Sequence, residues 1–171
     1  MGTLRLTLLR HGRAQPNDSC PEDYDRALTR SGTIEAQEMA SRLVYRRLIP
    51  DLVLASPAER TWATASIVAS ACEIDPKQIL GVRDLYLATA DIIWGQIRRR
   101  NWHAHHLLIV GHNPGLSQLA SRFGPDPKYR DLPSAGLATA LWHNASWITL
   151  RPEAASSCDL DDPESMADLW A

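Results

Sequence analysis

Leu4-Arg5-Leu6-Thr7-Leu8-Leu9-Arg10-His11-Gly12-Arg13 is the stretch from which the architecture can be read. Leu4, Leu6 and Leu8 alternate with Arg5 and Thr7, and Leu9 closes an apolar run of strand length. The strand stops on Arg10-His11-Gly12, which delivers a cation and an imidazole to its carboxyl end. In an open α/β sheet that end is where ligands bind. Gly12 permits a sharp exit and a close approach of ligand to main chain. Taken alone, so short a motif reads as readily as a surface strand end, and its weight comes from repetition.

The repetition lies farther along the chain. Leu107-Leu108-Ile109-Val110 is its most apolar run, the signature of a parallel strand buried on both faces. It ends on Gly111-His112-Asn113-Pro114-Gly115, ahead of a helix with Leu116, Leu119 and Ala120. A second imidazole is thereby sent to the same sheet edge. Between these two strands lies a third, Asp51 to Ala55, followed at once by Ser56-Pro57-Ala58-Glu59-Arg60. Ser56 suits an N-cap, Pro57 the first helical position, and Glu59 a capping box. Arg60 then sits in the first helical turn, where free backbone donors and the dipole favour a phosphate.

The remaining segments fill in an alternating pattern. A helix is predicted from Ser31-Gly32 to Arg47, with Ile34, Met39, Ala40, Leu43, Val44 and Leu48 on one side and Pro50 beyond its end. Ile79 to Leu85 reads as a strand that brings Asp84 and Tyr86 to its end. Thr89 or Asp91 caps a helix containing Ile92, Ile93 and Ile97, and Arg98, Arg99 and Arg100 complement its C-terminal dipole. Leu137 to Trp142 and Ala145 to Leu150 are expected to pair as a hairpin across His143-Asn144. The whole predicts a three-layer α/β/α sandwich with a central, mostly parallel sheet, built by one domain over residues 1–151. Residues 152–171, rich in Asp and Glu, are expected to form a loosely held tail, with one helical turn docking through Leu169 and Trp170.

Composition narrows the function classes. A net charge of −2 over 171 residues argues against nucleic acid or a membrane surface as partner, so any anion site must be local. Cys20, Cys72 and Cys158 suggest neither a disulfide framework nor a metal knuckle, which fits a reducing, cytoplasmic setting. Arg5 and Arg10 interrupt the N-terminal apolar run, so no signal peptide is expected. His103-Ala104-His105-His106 lacks a carboxylate or Cys at ligand spacing and reads as a loop and strand edge. No cofactor and no metal are expected.

Arg10, His11, Arg60 and His112 therefore converge on one edge: two guanidiniums and two imidazoles, an oxyanion site with a nucleophile inside it. These segments resemble the histidine phosphatase superfamily, whose fold is that of phosphoglycerate mutase. Arg10-His11-Gly12 matches its opening motif, Ser56-Pro57-Ala58-Glu59-Arg60-Thr61 its second arginine segment, and Val110-Gly111-His112-Asn113-Pro114 its second histidine segment. Asp25-Arg26-Ala27-Leu28-Thr29, Gly32 and Leu132-Pro133 are similar to its small phosphohistidine phosphatase (SixA-like) branch.

The resemblance implies metal-free phosphoryl transfer through a phosphorylated His11, with Arg10, Arg60 and His112 holding the equatorial oxygens. Gly12 and Asn113 are counted with the substrate-binding residues. Asp84 stands where relatives acting on alkyl phosphates carry a general acid, and a surface strand-end Asp is the equal alternative. A phosphorylated protein carrying phosphohistidine is the expected substrate. A small phosphorylated metabolite is the alternative, and a silent phosphate-binding module lies outside the enzyme class.

Overall fold

The structure, a computed structural model, describes residues 2–124 and 130–165. Six strands form a single sheet, five pointing one way and one against them, with helices on both faces. In chain order the elements are β1 (Gly2–Arg10), α1 (Arg30–Tyr45), β2 (Leu52–Ala55), α2 (Glu59–Ala71), β3 (Ile79–Gly81) and α3 (Ala90–Arg98). They continue with β4 (His106–Gly111), α4 (Gly115–Ala120), β5 (Leu137–Ala145) and β6 (Ser157–Asp161). The spatial order is β3-β2-β4-β1-β5-β6. This is the predicted three-layer α/β/α sandwich.

The apolar strand runs are explained by burial on both faces. Leu6 and Leu8 of β1, with Leu107 and Ile109 of β4, pack under α3 and α4 beside Ile93, Ile97, Leu116 and Phe123. Leu9, Leu108 and Val110 point the other way, onto Met39 and Leu43 of α1 and Ala65 and Val68 of α2. β1 and β4 are neighbours in register, Arg10 beside Gly111. The chain leaves β1 toward the α1 face and β4 toward the α4 face. Their carboxyl ends therefore mark a topological switch point, where departing connections part and open a crevice.

Two glycines let α1 close against that crevice. A Cβ on Gly12 would overlap the Gly32 carbonyl, and one on Gly32 the Arg13 carbonyl. Thr29 caps α1, its hydroxyl accepting from Gly32 N at 3.0 Å, and Thr89 caps α3 in the same way.

Several expectations are corrected. The capping box at Ser56 does not form: α2 starts at Glu59 behind Ala58, because the Ser56 hydroxyl is engaged by His112. The third strand ends at Gly81 and gives way to a 3-10 turn at Arg83–Leu85. No hairpin forms at His143-Asn144, since β5 runs straight through to Ala145 and Trp147–Thr149 is a 3-10 turn. The partner of β5 comes instead from the expected tail. Ser157–Asp161 pairs antiparallel with β5, and buried Arg42 of α1 holds Asp161 at 2.5 Å and the Asp162 carbonyl at 2.9 Å. Alternation could not reveal β6, whose residues are largely exposed. The turn expected at Leu169 and Trp170 lies outside the described residues.

Candidate active site

The crevice at the switch point is a cavity of about 520 Å³. Arg10, His11, Asp23, Arg26, Arg60, His112 and Asn113 are among its lining residues. Residues 10, 11, 60 and 112, brought from three separate strand ends, thus meet around one space. The ring centroids of His11 and His112 are 5.3 Å apart.

Each imidazole is held by a different partner. His11 Nδ1 lies 2.7 Å from the carbonyl of Gly12, which can only accept, so Nδ1 carries the proton and donates. That leaves Nε2 with its lone pair, facing Arg60 Nε at 3.3 Å. His112 Nε2 lies 2.9 Å from Ser56 Oγ, and its Nδ1 lies 3.3 Å from Arg60 Nη2. Because a guanidinium can only donate, His112 Nδ1 accepts and Nε2–H donates to Ser56. Arg60 is thus wedged between the two rings, 1% exposed.

Electrostatics keep both rings neutral. Burial, together with Arg60 and Arg10, pushes His11 down to about 4, although the Gly12 hydrogen bond opposes the shift. Burial, neighbouring His11 and Arg60 push His112 down to about 3. At neutral pH Nε2 of His11 is therefore unprotonated and carries a lone pair, the form in which an imidazole can act as a nucleophile.

Asp23, which no motif singled out, ties the site together. Its Oδ2 accepts from Tyr86 Oη at 2.7 Å and Arg60 Nη2 at 2.9 Å. Its Oδ1 accepts from Arg26 Nε at 2.8 Å, and its carbonyl from Arg60 Nη1 at 2.6 Å. The Tyr86 hydrogen bond, then Arg26 and Arg60, hold its carboxyl well below the usual range, so it stays ionised. Asp23 opens a 3-10 turn, Asp23–Asp25, too short for any periodicity, and its one legible signal was acidity beside a basic site. Tyr86 also packs edge-on to His112, centroids 5.4 Å apart.

Three predicted site residues stand differently. Asp84 lies on the 3-10 turn with its carboxylate accepting from Gln96 Nε2 at 2.8 Å, and it lines a separate cavity. The turn that replaces the end of the expected strand carries it away. Asp84 is thus absent from the lining of the cavity that holds His11 and His112. Gly12 is not a wall of the cavity: its N–H donates to Thr64 Oγ1 and its carbonyl orients His11. Asn113 lines the cavity, but its amide nitrogen donates to the Leu132 carbonyl and its oxygen accepts from Ser117 Oγ. The Leu132 carbonyl also accepts from Arg10 Nη1 at 2.9 Å, so Asn113 helps fix the loop that aims Arg10. No group of three metal-ligating side chains gathers anywhere among the described residues.

The fold is shared with known proteins. A stretch of 60 residues is 38% identical to an uncharacterised chloroplastic protein of Arabidopsis thaliana, spanning 35% of this chain and 28% of that one. The candidate phosphohistidine phosphatase SixA of Nakamurella multipartitia superposes with a TM-score of 0.80 at 24% identity, covering 96% of this chain and 98% of that one. Its counterpart from Agrobacterium tumefaciens gives 0.74 at 28% identity, covering 94% and 99%. Residues 6–107, more than half of the chain, match the model of the histidine phosphatase superfamily, branch 1. The chain belongs to the histidine phosphatase superfamily, with a SixA-like fold.

Proposed function

We propose that this phosphatase hydrolyses phosphohistidine on a protein through a phosphorylated His11. The observation that carries the reading is the tautomer of His11: with Nδ1 bound to the Gly12 carbonyl, Nε2 alone can attack. That nitrogen displaces the substrate's imidazole from phosphorus, one P–N bond forming as the other breaks. Water then attacks the phosphorylated His11, releasing phosphate and the free ring.

Arg10, Arg60 and His112 supply charge and donors around the phosphoryl oxygens, where electrostatic preorganisation acts. Arg10 Nε is buried without a hydrogen-bond partner among the described residues. Such a donor costs about 1–3 kcal/mol in the free protein, a penalty that an oxyanion relieves. The site has no acid to offer an alkoxide: Asp84 is elsewhere and Asp23 is kept ionised. A phosphoimidazole protonated on its other nitrogen leaves as neutral imidazole and requires none. This favours phosphohistidine over a phosphorylated metabolite. It also accords with the names given to the two SixA-like structures.

Rapid quenching with a phosphohistidine peptide tests the reading. An acid-labile, base-stable phosphoenzyme is expected, absent from His11→Ala. Turnover without that intermediate, or faster turnover of sugar phosphates than of the peptide, overturns it.

A further inference from the structure

Beside β3 the sheet is left partly uncovered. On the α3 face, a groove of about 570 Å³ runs over Leu54, Leu80, Val82 and Trp102, all but the first partly exposed. Arg83, Arg99 and Arg100 stand around this apolar floor. The helix dipole accounts for basic residues at the end of α3, but not for Arg83, which comes from a different element. Nor does it account for the direction of the chain: Arg98 turns away to donate to the Ile148 carbonyl, while Arg99 and Arg100 line the groove. Arg100 stacks over the Trp102 ring at 4.1 Å, which presents a flat cationic surface. One carboxylate, Asp84, shares this lining, and its Oδ2 accepts from Gln96, so the three guanidiniums outnumber it. Three guanidiniums thus cluster on a protein whose net charge is −2.

The groove is joined to the active site by a short segment. Val82, Arg83 and Asp84 form its wall, whereas Tyr86 binds Asp23 and Leu87 lines the catalytic cavity. Along the chain, four positions separate Arg83 of the groove's wall from Leu87 of the catalytic cavity's lining. We infer that the groove over β3 is a docking surface for an acidic segment of the phosphorylated protein substrate, seated by Arg83, Arg99 and Arg100. The inference rests on the phosphohistidine reading. Charge complementarity selects the occupant, and the apolar floor takes the side chains between its carboxylates.

The test separates docking from chemistry. Anisotropy of a labelled, unphosphorylated peptide rich in Asp and Glu should show saturable, salt-sensitive binding. Its Kd should rise about tenfold or more in the intact protein carrying Arg83→Ala, Arg99→Ala and Arg100→Ala. Replacing the peptide's Asp and Glu by Asn and Gln should weaken wild-type binding to the same extent. In turnover, an acidic extension should lower the KM for a phosphohistidine peptide in wild type alone. Turnover of an aryl phosphate should stay within twofold, which shows that the triple variant is folded.

Equal binding of acidic and neutral peptides, or of acidic peptide by wild type and variant, overturns the docking surface. So does self-association of wild type that the triple variant loses, since a second copy would then be the occupant. Acidic-peptide binding without turnover of any phosphohistidine peptide sinks the substrate reading and leaves the anion preference of the groove measured on its own.

Discussion

The carboxyl ends of β1 and β4 are written almost alike, an apolar strand running into a Gly–His pair, yet they deliver chemically different imidazoles. His11 is bound through Nδ1 to a main-chain carbonyl, so that Nε2 carries the lone pair and faces Arg60 Nε. His112 is turned the other way round, with Nε2 donating to the Ser56 hydroxyl and Nδ1 accepting from Arg60. The pattern in the sequence brings a ring to the edge. The partner of each ring nitrogen decides the tautomer, Nδ1–H for His11 and Nε2–H for His112. On the proposed reading, His11 is the nucleophile and His112 a clamp.

The hardest way to break this asymmetry is His11→Ala, which should lower kcat by about 10⁴-fold or more and abolish the phosphoenzyme. His112→Ala should cost about 10²–10³ in kcat while a phosphoenzyme still forms slowly under quench conditions. Equal losses, with the intermediate gone from both, would make the two rings equivalent and end the comparison. Ser56→Ala sharpens it further. Freeing His112 Nε2 should reduce kcat/KM about five- to tenfold without touching the His11 tautomer, readable by nitrogen NMR of the two rings.

Stability against pH probes the same rings without substrate. The folded-state values of His11 and His112, about 4 and about 3, lie below the ordinary value near 6.5, and buried His106 is also lowered to about 4. As pH falls below about 6.5, the unfolded chain binds protons that the folded chain refuses, so stability declines toward pH 4. Each group contributes a slope approaching 1.4 kcal/mol per pH unit in that window. Urea midpoints should show the decline, and His112→Gln should flatten it by one group's share. The smallest expected effect is Asp84→Asn, with kcat/KM on a phosphohistidine peptide unchanged within twofold. A large loss would restore Asp84 to the chemistry.

The parallel core of the sheet was legible because burial on both faces forces continuous apolar runs, and Leu6–Leu9 and Leu107–Val110 declare themselves that way. β6 was not, because an exposed edge strand needs no apolar pattern and is held by pairing to β5 and by Arg42. Arg10, His11, Arg60 and His112 stood out because each closes or follows a strand at one edge. Asp23 and Tyr86 did not, because their partnership depends on how two short 3-10 turns fold back toward each other. Ser56 was misread for a related reason: a serine before a helix looks like a cap until another side chain claims its hydroxyl.

By itself the chain determined which residues arrive at the carboxyl edge, since hydrophobic periodicity sets strand and helix, and the connections then follow in order. Only tertiary structure decided what those residues do there. Proton positions, the pairing of Arg60 with Asp23 and the removal of Asp84 to another cavity depend on distances between segments far apart in sequence. Hydrogen bonding and desolvation act through space over a few ångströms, and no local pattern records them.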